Sequence, residues 1–369
     1  MASSNEDGGQ PEAAQKACTG EVSAEDRKAF LAEWPPLSLT ASSADYYFHS
    51  YNHYGVHEDV LKDAMTTSSY QRAIKQNAHH FRGAVVLDVC AGLGLCSLLA
   101  AQAGAKRVIA LESQPELVAM GTKIARQNGF GPEQLDFVCG TAGSLEQLPG
   151  GLEQVDVIVS EWMGYFLLYE ARLGDVLKAR DRWLKPGGLL FPDRAKLHLG
   201  LLEDPGYKEC HFDYYNSVWG FDFTSMRESA HGEPVVNSFE QSQLISSAAC
   251  VLDLDLYRCK AEECFQVASS YQVACKREGR VNAMLFWFEI RFDSCHKPIA
   301  FSTGPESSPT CWKQTAFFLN GIPPGVKQGD RVKGMVAVRK LVEDRRHLDV
   351  KLSCRVNNCK PRVQYYRWT

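Results

Sequence analysis

The fold is decided by the stretch Val85-Val86-Leu87-Asp88-Val89-Cys90-Ala91-Gly92-Leu93-Gly94 and the segments next to it. A short apolar run before a glycine-rich turn is typical of a buried strand that leads into a helix. A helical segment over residues 95–103 and a second apolar run, Arg107-Val108-Ile109-Ala110-Leu111-Glu112, complete a strand, helix, strand unit. The two strands of such a unit are expected to pair in parallel.

The same alternation continues along the chain. A helix is predicted over residues 115–128, a strand over residues 135–139 and another strand over residues 155–159. A further helix over residues 172–184 is predicted to end at Lys185-Pro186-Gly187-Gly188, since proline and glycine stop helices. Alternating strands and helices predict an α/β fold with a doubly wound, Rossmann-like parallel sheet.

After Phe191-Pro192 the pattern changes to strand-like runs separated by turn residues, which predicts a second, largely β domain. An aromatic insertion at residues 207–230 is interpreted as core or as a subunit contact. We therefore divide the chain into a disordered tail at 1–25, helices and a parallel-sheet domain at 26–192, and a β domain at 193–369.

Composition limits the possible functions. The 369 residues, 45% of them hydrophobic, suffice for about two domains. No apolar stretch approaches the roughly 18 residues of a membrane span, and the formal charge of -4 argues against a general nucleic-acid binder. The thirteen cysteines are interpreted as reduced thiols of a cytoplasmic protein. Zinc binding at the pairs Cys259 with Cys264 and Cys354 with Cys359 is disfavoured, since no histidine pattern accompanies them.

Two glutamates bracket the segment from Ser160 to Glu170, directly after the predicted strand at residues 155–159. Ligands of open α/β sheets bind at strand ends, which places Glu161 at such a site. Two carboxylates on one short loop repel each other unless a cation lies between them, and a guanidinium has the donors to satisfy both. The alternative is an ordinary turn with two solvated acids.

A nucleotide-type ligand is indicated by the first turn. Gly92 and Gly94 allow close approach to a helix N-terminus, and Glu112 follows Asp88 by about 24 residues, near the spacing of ribose-binding acids. Only two of the three glycines of a dinucleotide fingerprint are present, which disfavours a nicotinamide cofactor.

Taken in order, these motifs resemble the protein arginine N-methyltransferases of the asymmetric-dimethylating type. The resemblance runs from about residue 46 to the C-terminus. It rests on Tyr47-Phe48-His49-Ser50-Tyr51, Gly55-Val56-His57-Glu58, Val86-Leu87-Asp88-Val89, residues 103–112, 160–170 and 183–192, Trp219-Gly220-Phe221-Asp222, Ser302-Thr303-Gly304-Pro305 and Thr310-Cys311-Trp312-Lys313-Gln314.

The resemblance implies a Rossmann-like S-adenosyl-L-methionine-dependent methyltransferase domain, a β-barrel that helps to form the substrate groove, and a dimerisation arm at about 207–230. It implies the following roles: Glu161 and Glu170 hold the substrate arginine; Tyr51, Tyr165, Cys311 and Trp312 line its channel; His57, Asp88, Gly92, Gly94 and Glu112 bind the cofactor; Trp219 and Phe221 belong to the arm. Expected partners are arginine-rich proteins such as RNA-binding proteins or histones.

Several positions depart from the family pattern, mostly at the cofactor. Thr66 stands where the family has an arginine for the cofactor carboxylate, so a charge-assisted hydrogen bond is lost. Cys90 replaces a glycine and is expected to need an unfavourable φ. Gly143 replaces a glutamate that receives the adenine amine, and Cys311 replaces a histidine that bonds to an acid. Arg172 replaces a methionine and is expected to pair with Glu170.

These observations leave three hypotheses. The losses favour a non-catalytic or weakly active regulatory subunit that assembles through its arm with an active paralogue, because losing three cofactor contacts lowers affinity by orders of magnitude. The alternative is an active arginine methyltransferase whose site has drifted, and the intact pair Glu161 and Glu170 supports it. The third is a different methyltransferase or a pure binding module.

Overall fold

The computed structural model describes residues 23–32, 54–340, 348–357 and 359–368. Most of the predicted tail at 1–25 and the predicted channel residue Tyr51 lie outside these ranges. The first described helix, α1 (Ala24–Ala32), has no buried residue of its own. Lys351 links it to the β domain, since its Nζ donates a hydrogen bond of 2.9 Å to the carbonyl of Phe30.

The N-terminal domain contains the alternating elements that the sequence predicts. Three helices precede the sheet, namely α2 (Tyr54–Lys62), α3 (Ala64–Gln76) and α4 (Ala78–Phe81). The sheet and its helices are β1 (Val85–Val89), α5 (Leu95–Gln102), β2 (Arg107–Glu112), α6 (Pro115–Gln127), β3 (Leu135–Cys139), β4 (Val155–Val159), α7 (Leu173–Trp183) and β5 (Leu184–Phe191).

These strands form a five-stranded sheet in the order β3-β2-β1-β4-β5, with parallel pairing throughout. The predicted doubly wound parallel sheet is confirmed. The chain moves outward from β1 to β2 and β3 and then returns to place β4 on the other side of β1, which makes the β1 and β4 edge a topological switch point. The loops after these two strands therefore face a common crevice.

The segment Lys185-Pro186-Gly187-Gly188 is more than the helix stop that the sequence suggested. Helix α7 ends at Trp183, and β5 begins at the next residue, so the segment lies within a strand. Its pairing with β4 shifts register between Val155 and Val157, and Gly187 has φ 76°. The register shift accommodates the proline and the two glycines of this segment. The segment lies in an edge strand, where proline is tolerated.

The C-terminal domain is built of antiparallel strands, as predicted. They are β6 (Arg194–Leu202), β7 (Val235–Asn237), β8 (Ala249–Asp255), β9 (Gln266–Ala274), β10 (Gly279–Arg280), β11 (Ala283–Phe292), β12 (Ile299–Ser302), β13 (Gln314–Phe318), β14 (Gly325–Val326), β15 (Arg331–Lys340), β16 (Leu348–Val356) and β17 (Arg362–Trp368). One sheet has the order β7-β13-β11-β6-β8 with β12 beside β11, and a second has the order β17-β16-β15-β9. A bridge between Ser246 and Cys275 joins them, and helix α10 (Ala261–Phe265) precedes β9.

The aromatic insertion forms a helical arm after β6. It consists of α8 (Pro205–His211), a 3-10 turn (Asp213–Asn216) and α9 (Thr224–His231). Its base is anchored because Phe212 is buried and stacks on His231, with ring centroids 3.9 Å apart. Its tip is open to solvent, since Trp219 is 93% and Phe221 is 70% exposed.

Both domains contribute to one continuous apolar core, which runs from the parallel sheet through Trp162 and Phe166 to Phe286 and Phe317 of the β domain. In the described ranges, no helix has the length and apolarity needed to cross a bilayer. Over the same ranges, His, Cys, Asp and Glu side chains form no group of three or more that is arranged to hold a metal ion.

Candidate active site

A cavity of about 260 Å³ lies at the switch point, between the ends of β1, β2 and β4, helices α2 and α3, and the loop before β13. Such crevices are where α/β sheets bind ligands. Its lining includes these predicted site residues: His57, Thr66, Asp88, Cys90, Gly92, Glu112, Glu161, Tyr165, Glu170, Cys311 and Trp312. Residues up to 255 positions apart, from His57 to Trp312, thus meet at one site.

The loop that carries both glutamates is a tight, strained turn. Tyr165 pairs with Tyr169, and Phe166, Leu167 and Glu170 all have positive φ, of 54°, 66° and 59°. A side chain at Gly164 would meet the carbonyl oxygen of Tyr169 at 1.7 Å. Backbone strain of this kind persists only where the surrounding packing enforces it. Here the loop's buried side chains supply that packing, and both carboxylates are aimed into the same cavity.

The carboxyl group of Glu161 binds its proton more tightly than a carboxyl group in water. Burial raises the pKa of its carboxyl group to about 8, and the carboxylates of Asp63 and Asp88 act in the same direction. Its Oε1 atom has no hydrogen-bond partner among the described residues. An unsatisfied acid among other acids favours a cationic ligand, which would lower that pKa and supply the missing donor.

Aromatic rings support the loop from the β domain. Tyr165 and Trp312 meet edge to face with centroids 6.1 Å apart, so both predicted channel residues adjoin one another. Trp368 stacks on Tyr169 at 4.1 Å and lies 6.3 Å from Tyr165. Trp368 was not predicted as a site residue, and the aromatic run at residues 365–368 is the signal for it in the sequence. It acts as a support for the loop because it packs behind the cavity wall.

The nucleotide end of the cavity is formed by the β1 to α5 turn and Glu112. Gly92 has φ 54° and open space beside its Cα, and its amide donates to Glu112 Oε2 at 2.9 Å. Glu112 Oε1 accepts from the Gln114 amide at 2.9 Å, which fixes the carboxylate at the end of β2. An acid so placed beside an open glycine turn fits a ribose and its adjoining base.

Gly94 has a packing role. It does not line the cavity; it has φ 84°, and an added Cβ would lie 2.4 Å from the ring of Phe137. Only glycine combines this φ with so close a ring. Gly94 therefore fixes where α5 begins and so shapes the turn that Gly92 offers to the cavity.

Asp88 is buried beneath the turn. It accepts a hydrogen bond of 2.6 Å from Ser97 of α5. Burial raises its pKa to about 7, although the Ser97 hydrogen bonds oppose that rise. Asp88 thus ties β1 to α5 and also reaches the cavity wall.

Thr66 is already engaged within the protein. It is buried, and both its amide and its hydroxyl donate to Asp63, at 2.9 Å each. The Cys311 amide donates to the same carboxylate at 2.9 Å. Asp63, which was not predicted as a site residue, thus joins α3 to the loop of the β domain. Cys311 meets this acid through its backbone amide and also through its thiol, whose pKa is raised first by burial and then by Asp63.

Cys90 does adopt the unfavourable backbone that its sequence position suggested, with φ 61°. Burial raises the pKa of its thiol, and the Arg172 guanidinium opposes the rise. Arg172 also lines the cavity, and its amide donates to the Trp162 carbonyl at 2.8 Å at the start of α7. The turn therefore has a thiol side chain at its strained residue, Cys90, and the Arg172 cation close to it.

Gly143 lies just outside the cavity lining, to which the neighbouring Thr141 and Ala142 belong. The space beside it faces Lys178, whose Nζ is 3.3 Å from the position that a Cβ would take. The remaining predicted residues, Trp219 and Phe221, lie on the arm and take no part in the cavity.

Comparisons with known proteins agree over both domains. The family model "Arginine methyltransferase oligomerization subdomain" matches residues 193–359, and a "Methyltransferase domain" model matches residues 86–188. Protein arginine N-methyltransferase 1 of Schizosaccharomyces pombe is 42% identical over 323 residues, which is 88% of this chain and 92% of that protein. The protein of the same name from Caenorhabditis elegans is 39% identical over 318 residues, or 86% and 90% of the two chains.

Solved structures show the same extent of similarity. A chain of the Trypanosoma brucei PRMT1 enzyme-prozyme heterotetrameric complex with AdoHcy superposes with a TM-score of 0.82 at 32% identity, covering 87% of this chain and all of that one. Arabidopsis thaliana protein arginine methyltransferase 10 gives a TM-score of 0.76 at 27% identity, covering 87% and 99%. The likeness therefore includes the cavity and both domains around it.

Proposed function

Because this chain belongs to the protein arginine N-methyltransferase family, which uses S-adenosyl-L-methionine, we propose that it is an active enzyme that methylates the guanidinium of protein arginines. The observation that carries the proposal is the strained loop that aims Glu161 and Glu170 into one cavity beside Tyr165 and Trp312. The similarity to enzymes named protein arginine N-methyltransferase 1 supports it.

The residues of the site suit the cofactor at its nucleoside end. Glu112 is positioned for the ribose hydroxyls, and Gly92 leaves the space that a bound nucleoside needs. When bound, S-adenosyl-L-methionine supplies a methyl group on a cationic sulfonium. The chain's own part is to hold the guanidinium, orient one nitrogen and exclude water.

Glu161 and Glu170 perform the holding step. A guanidinium between them satisfies the unpaired Glu161 oxygen and lowers its pKa, so Glu161 ionises as substrate binds. Two carboxylates localise electron density on one substrate nitrogen, which is otherwise a poor nucleophile. Glu161 is also placed to accept the proton that the methylated nitrogen releases, because its surroundings favour the protonated acid. Tyr165 and Trp312 wall the channel and align the side chain.

The test is methyl transfer by the purified full-length chain to a Gly-Arg-rich peptide, together with calorimetric titration of S-adenosylhomocysteine. We expect turnover, micromolar binding, and loss of turnover with retained cofactor binding in Glu161→Gln. No turnover from a folded sample that binds the cofactor analogue would contradict the proposal, as would an unchanged rate in the variant.

A second candidate, the regulatory subunit, is supported by a specific observation. The Thr66 hydroxyl is bonded to Asp63 and Cys90 has a strained φ, so two cofactor contacts of the family pattern are replaced. One chain of similar fold comes from an enzyme-prozyme complex. This candidate predicts that the lone chain neither binds the analogue nor turns over, whereas co-expression with a catalytic paralogue raises that partner's activity.

Partners and location follow from the same proposal. The oligomerization subdomain indicates self-association or assembly with a paralogue, and the exposed Trp219 and Phe221 are the proposed contact. Arginine-rich proteins, such as RNA-binding proteins or histones, are the proposed substrates because the site selects a guanidinium. The described cysteines are free thiols, which fits the proposed cytoplasmic location.

A further inference from the structure

A pair of cysteines lies away from the cavity, where the two domains meet. Cys259 is in the turn after β8, and Cys264 is in α10. The side chain that faces them, Arg180, comes from α7 of the parallel-sheet domain. None of the three lines the cavity, and the proposed methyl transfer does not use them.

Arg180 holds the Cys259 turn at close range. Its Nη1 donates to the carbonyl of Leu256 at 2.6 Å and to the carbonyl of Cys259 at 2.8 Å. Its guanidinium also hydrogen bonds to the Cys259 side chain, and its Nη2 and Nε atoms pair with Asp181 at 2.7 Å and 2.8 Å. The Cys259 sulfur therefore lies beside a cation that the backbone keeps in place.

The two thiols are arranged as unequal partners. The Cys264 thiol hydrogen bonds to the Cys259 sulfur, which lowers the pKa of Cys259 together with Arg180 and raises the pKa of Cys264. Cys264 is fully buried, whereas Cys259 is half-buried between the exposed Arg258 and Lys260. A partly exposed thiol with a lowered pKa beside a second thiol is the arrangement of redox-sensitive cysteines.

From this cluster we propose that Cys259 and Cys264 are a modification site, at which a hydroperoxide converts the pair into an intramolecular disulfide. The Cys259 thiolate attacks the peroxide, its S–O bond forms as the O–O bond breaks, and the leaving alkoxide takes a proton, which gives a sulfenic acid. The Cys264 sulfur then attacks the Cys259 sulfur, the S–S bond forms, and hydroxide leaves with the Cys264 proton as water. Two electrons pass from the sulfurs to the peroxide, and a reducing dithiol reverses the reaction.

Oxidation changes the contact between the domains. A disulfide sulfur cannot ionise and is a weaker acceptor than a thiolate, so Arg180 loses its interaction with the Cys259 sulfur and keeps the two carbonyls and Asp181. The change is therefore local to the junction of α7 with the β domain.

Peptide mapping of the full-length protein tests the site. The protein is treated with hydrogen peroxide, remaining thiols are alkylated, and the denatured chain is digested with trypsin. Cleavage after Arg258 and after Lys260 separates the two cysteines, so the disulfide is seen as the dipeptide of residues 259–260 linked to the peptide of residues 261–276. Because this peptide also contains Cys275, fragmentation by tandem mass spectrometry must place the link at Cys264 and the alkyl group at Cys275. We expect free Cys259 to disappear about tenfold faster than free Cys139 or Cys359, which are exposed. Slower loss of Cys259 than of these references, or a linkage to another cysteine, would overturn the proposal.

Variants assign the roles within the pair. In Cys264→Ser the sulfenic acid of Cys259 should accumulate and be trapped by dimedone, whereas in Cys259→Ser the Cys264 thiol should remain reduced. Arg180→Met should slow the oxidation of Cys259, and Arg180→Lys, which keeps the charge, should retain more of the rate. Circular dichroism confirms that each variant is folded. Equal rates in the Arg180 variants and the parent, or no trapped acid in folded Cys264→Ser, contradict the assignment.

Discussion

At the scale of single residues, the carboxyl group of Glu161 is the clearest departure from ordinary solution chemistry. Burial raises its pKa to about 8, and the carboxylates of Asp63 and Asp88 add to the effect. Asp88 behaves similarly, with a pKa raised to about 7 chiefly by burial. These carboxyl groups keep protons near neutral pH, and a bound substrate cation would lower their pKa values and release those protons.

The raised pKa of Glu161 makes the free energy of unfolding depend on pH in a defined direction. The unfolded carboxyl ionises near 4.5 and the folded one near 8, so between these values the native state binds more protons than the unfolded state. The free energy of unfolding therefore falls as pH rises through this window, by at most about 5 kcal/mol for one such group.

Glu161→Gln should remove that part of the pH dependence, because glutamine keeps the shape and cannot ionise. Urea denaturation of parent and variant at about pH 5.5 and about pH 8.5 measures it. The variant should be the more stable protein at the higher pH, and it should lose less stability than the parent between the two pH values. An identical loss of stability in both proteins between the two pH values would show that Glu161 is ionised throughout.

Residue roles were predictable where the motif is local and were missed where contacts join distant segments. Glu112 ends one predicted strand and Glu161 follows another, so parallel-sheet geometry alone placed these two residues at one edge. Asp63 receives the amide of Cys311, and Trp368 stacks on Tyr169, yet each pair is separated by about 200 residues or more along the chain. No local pattern encodes such contacts.

At the scale of elements, the turn from β1 to α5 combines open glycine backbone with one strained residue. Gly92 and Gly94 take positive φ without a steric cost, whereas Cys90 takes φ 61° with a side chain. A non-glycine residue in this region costs roughly 1 kcal/mol or more. The turn is thus less stable than the same turn with glycine at its first position.

Cys90→Gly should therefore stabilise the protein by up to about 1 kcal/mol and tighten the binding of S-adenosylhomocysteine. Cys90→Ala is the matched control, since it removes the thiol and keeps the Cβ that makes this φ unfavourable. Thermal unfolding and calorimetric titration of both variants separate the backbone effect from loss of the thiol. If alanine and glycine have the same effect, the strain at this residue is not what limits the turn.

Strand β17 supports the double-glutamate loop through Trp368. Its ring stacks on Tyr169 with an interplanar angle of 8° and approaches Tyr165 with 16°. Trp368→Ala removes both stacks, and we expect a loss of about 3 kcal/mol of stability and a fall in turnover. Trp368→Phe, which keeps a ring over Tyr169, should retain most of both. Turnover that is unaffected by alanine would show that the loop holds its shape alone.

Elements were predicted well where a strand is apolar and ends at a turn, as for residues 85–89 and 107–112. The segment at 185–188 was interpreted only as a helix stop because proline and glycine dominate it, and a register shift in the neighbouring pairing lets it belong to β5 instead. Local composition fixed the end of the helix, while pairing with β4 in the tertiary structure made the next residues a strand.

At the scale of the whole molecule, the two domains cannot be separated without dividing the site. The cavity takes Cys311 and Trp312 from the β domain, and the Cys311 amide bonds to Asp63, which caps α3. The apolar core is likewise continuous between the domains. A change in subunit assembly that moves the arm therefore also affects the cavity, because both domains form its walls.

The arm supplies the last prediction. Trp219 and Phe221 expose 93% and 70% of their surface in the isolated chain. Contact with another subunit would remove this apolar surface from water and so favour association. Trp219→Ala combined with Phe221→Ala should convert the assembly to monomers, measured by sedimentation velocity, because aromatic anchors dominate such interfaces. Ile322→Ala is the control, since this side chain is 76% exposed on a turn outside the arm. Monomers in the arm variant alone would identify the contact, whereas an assembly that survives the double change would place the interface elsewhere and leave these two rings to another partner.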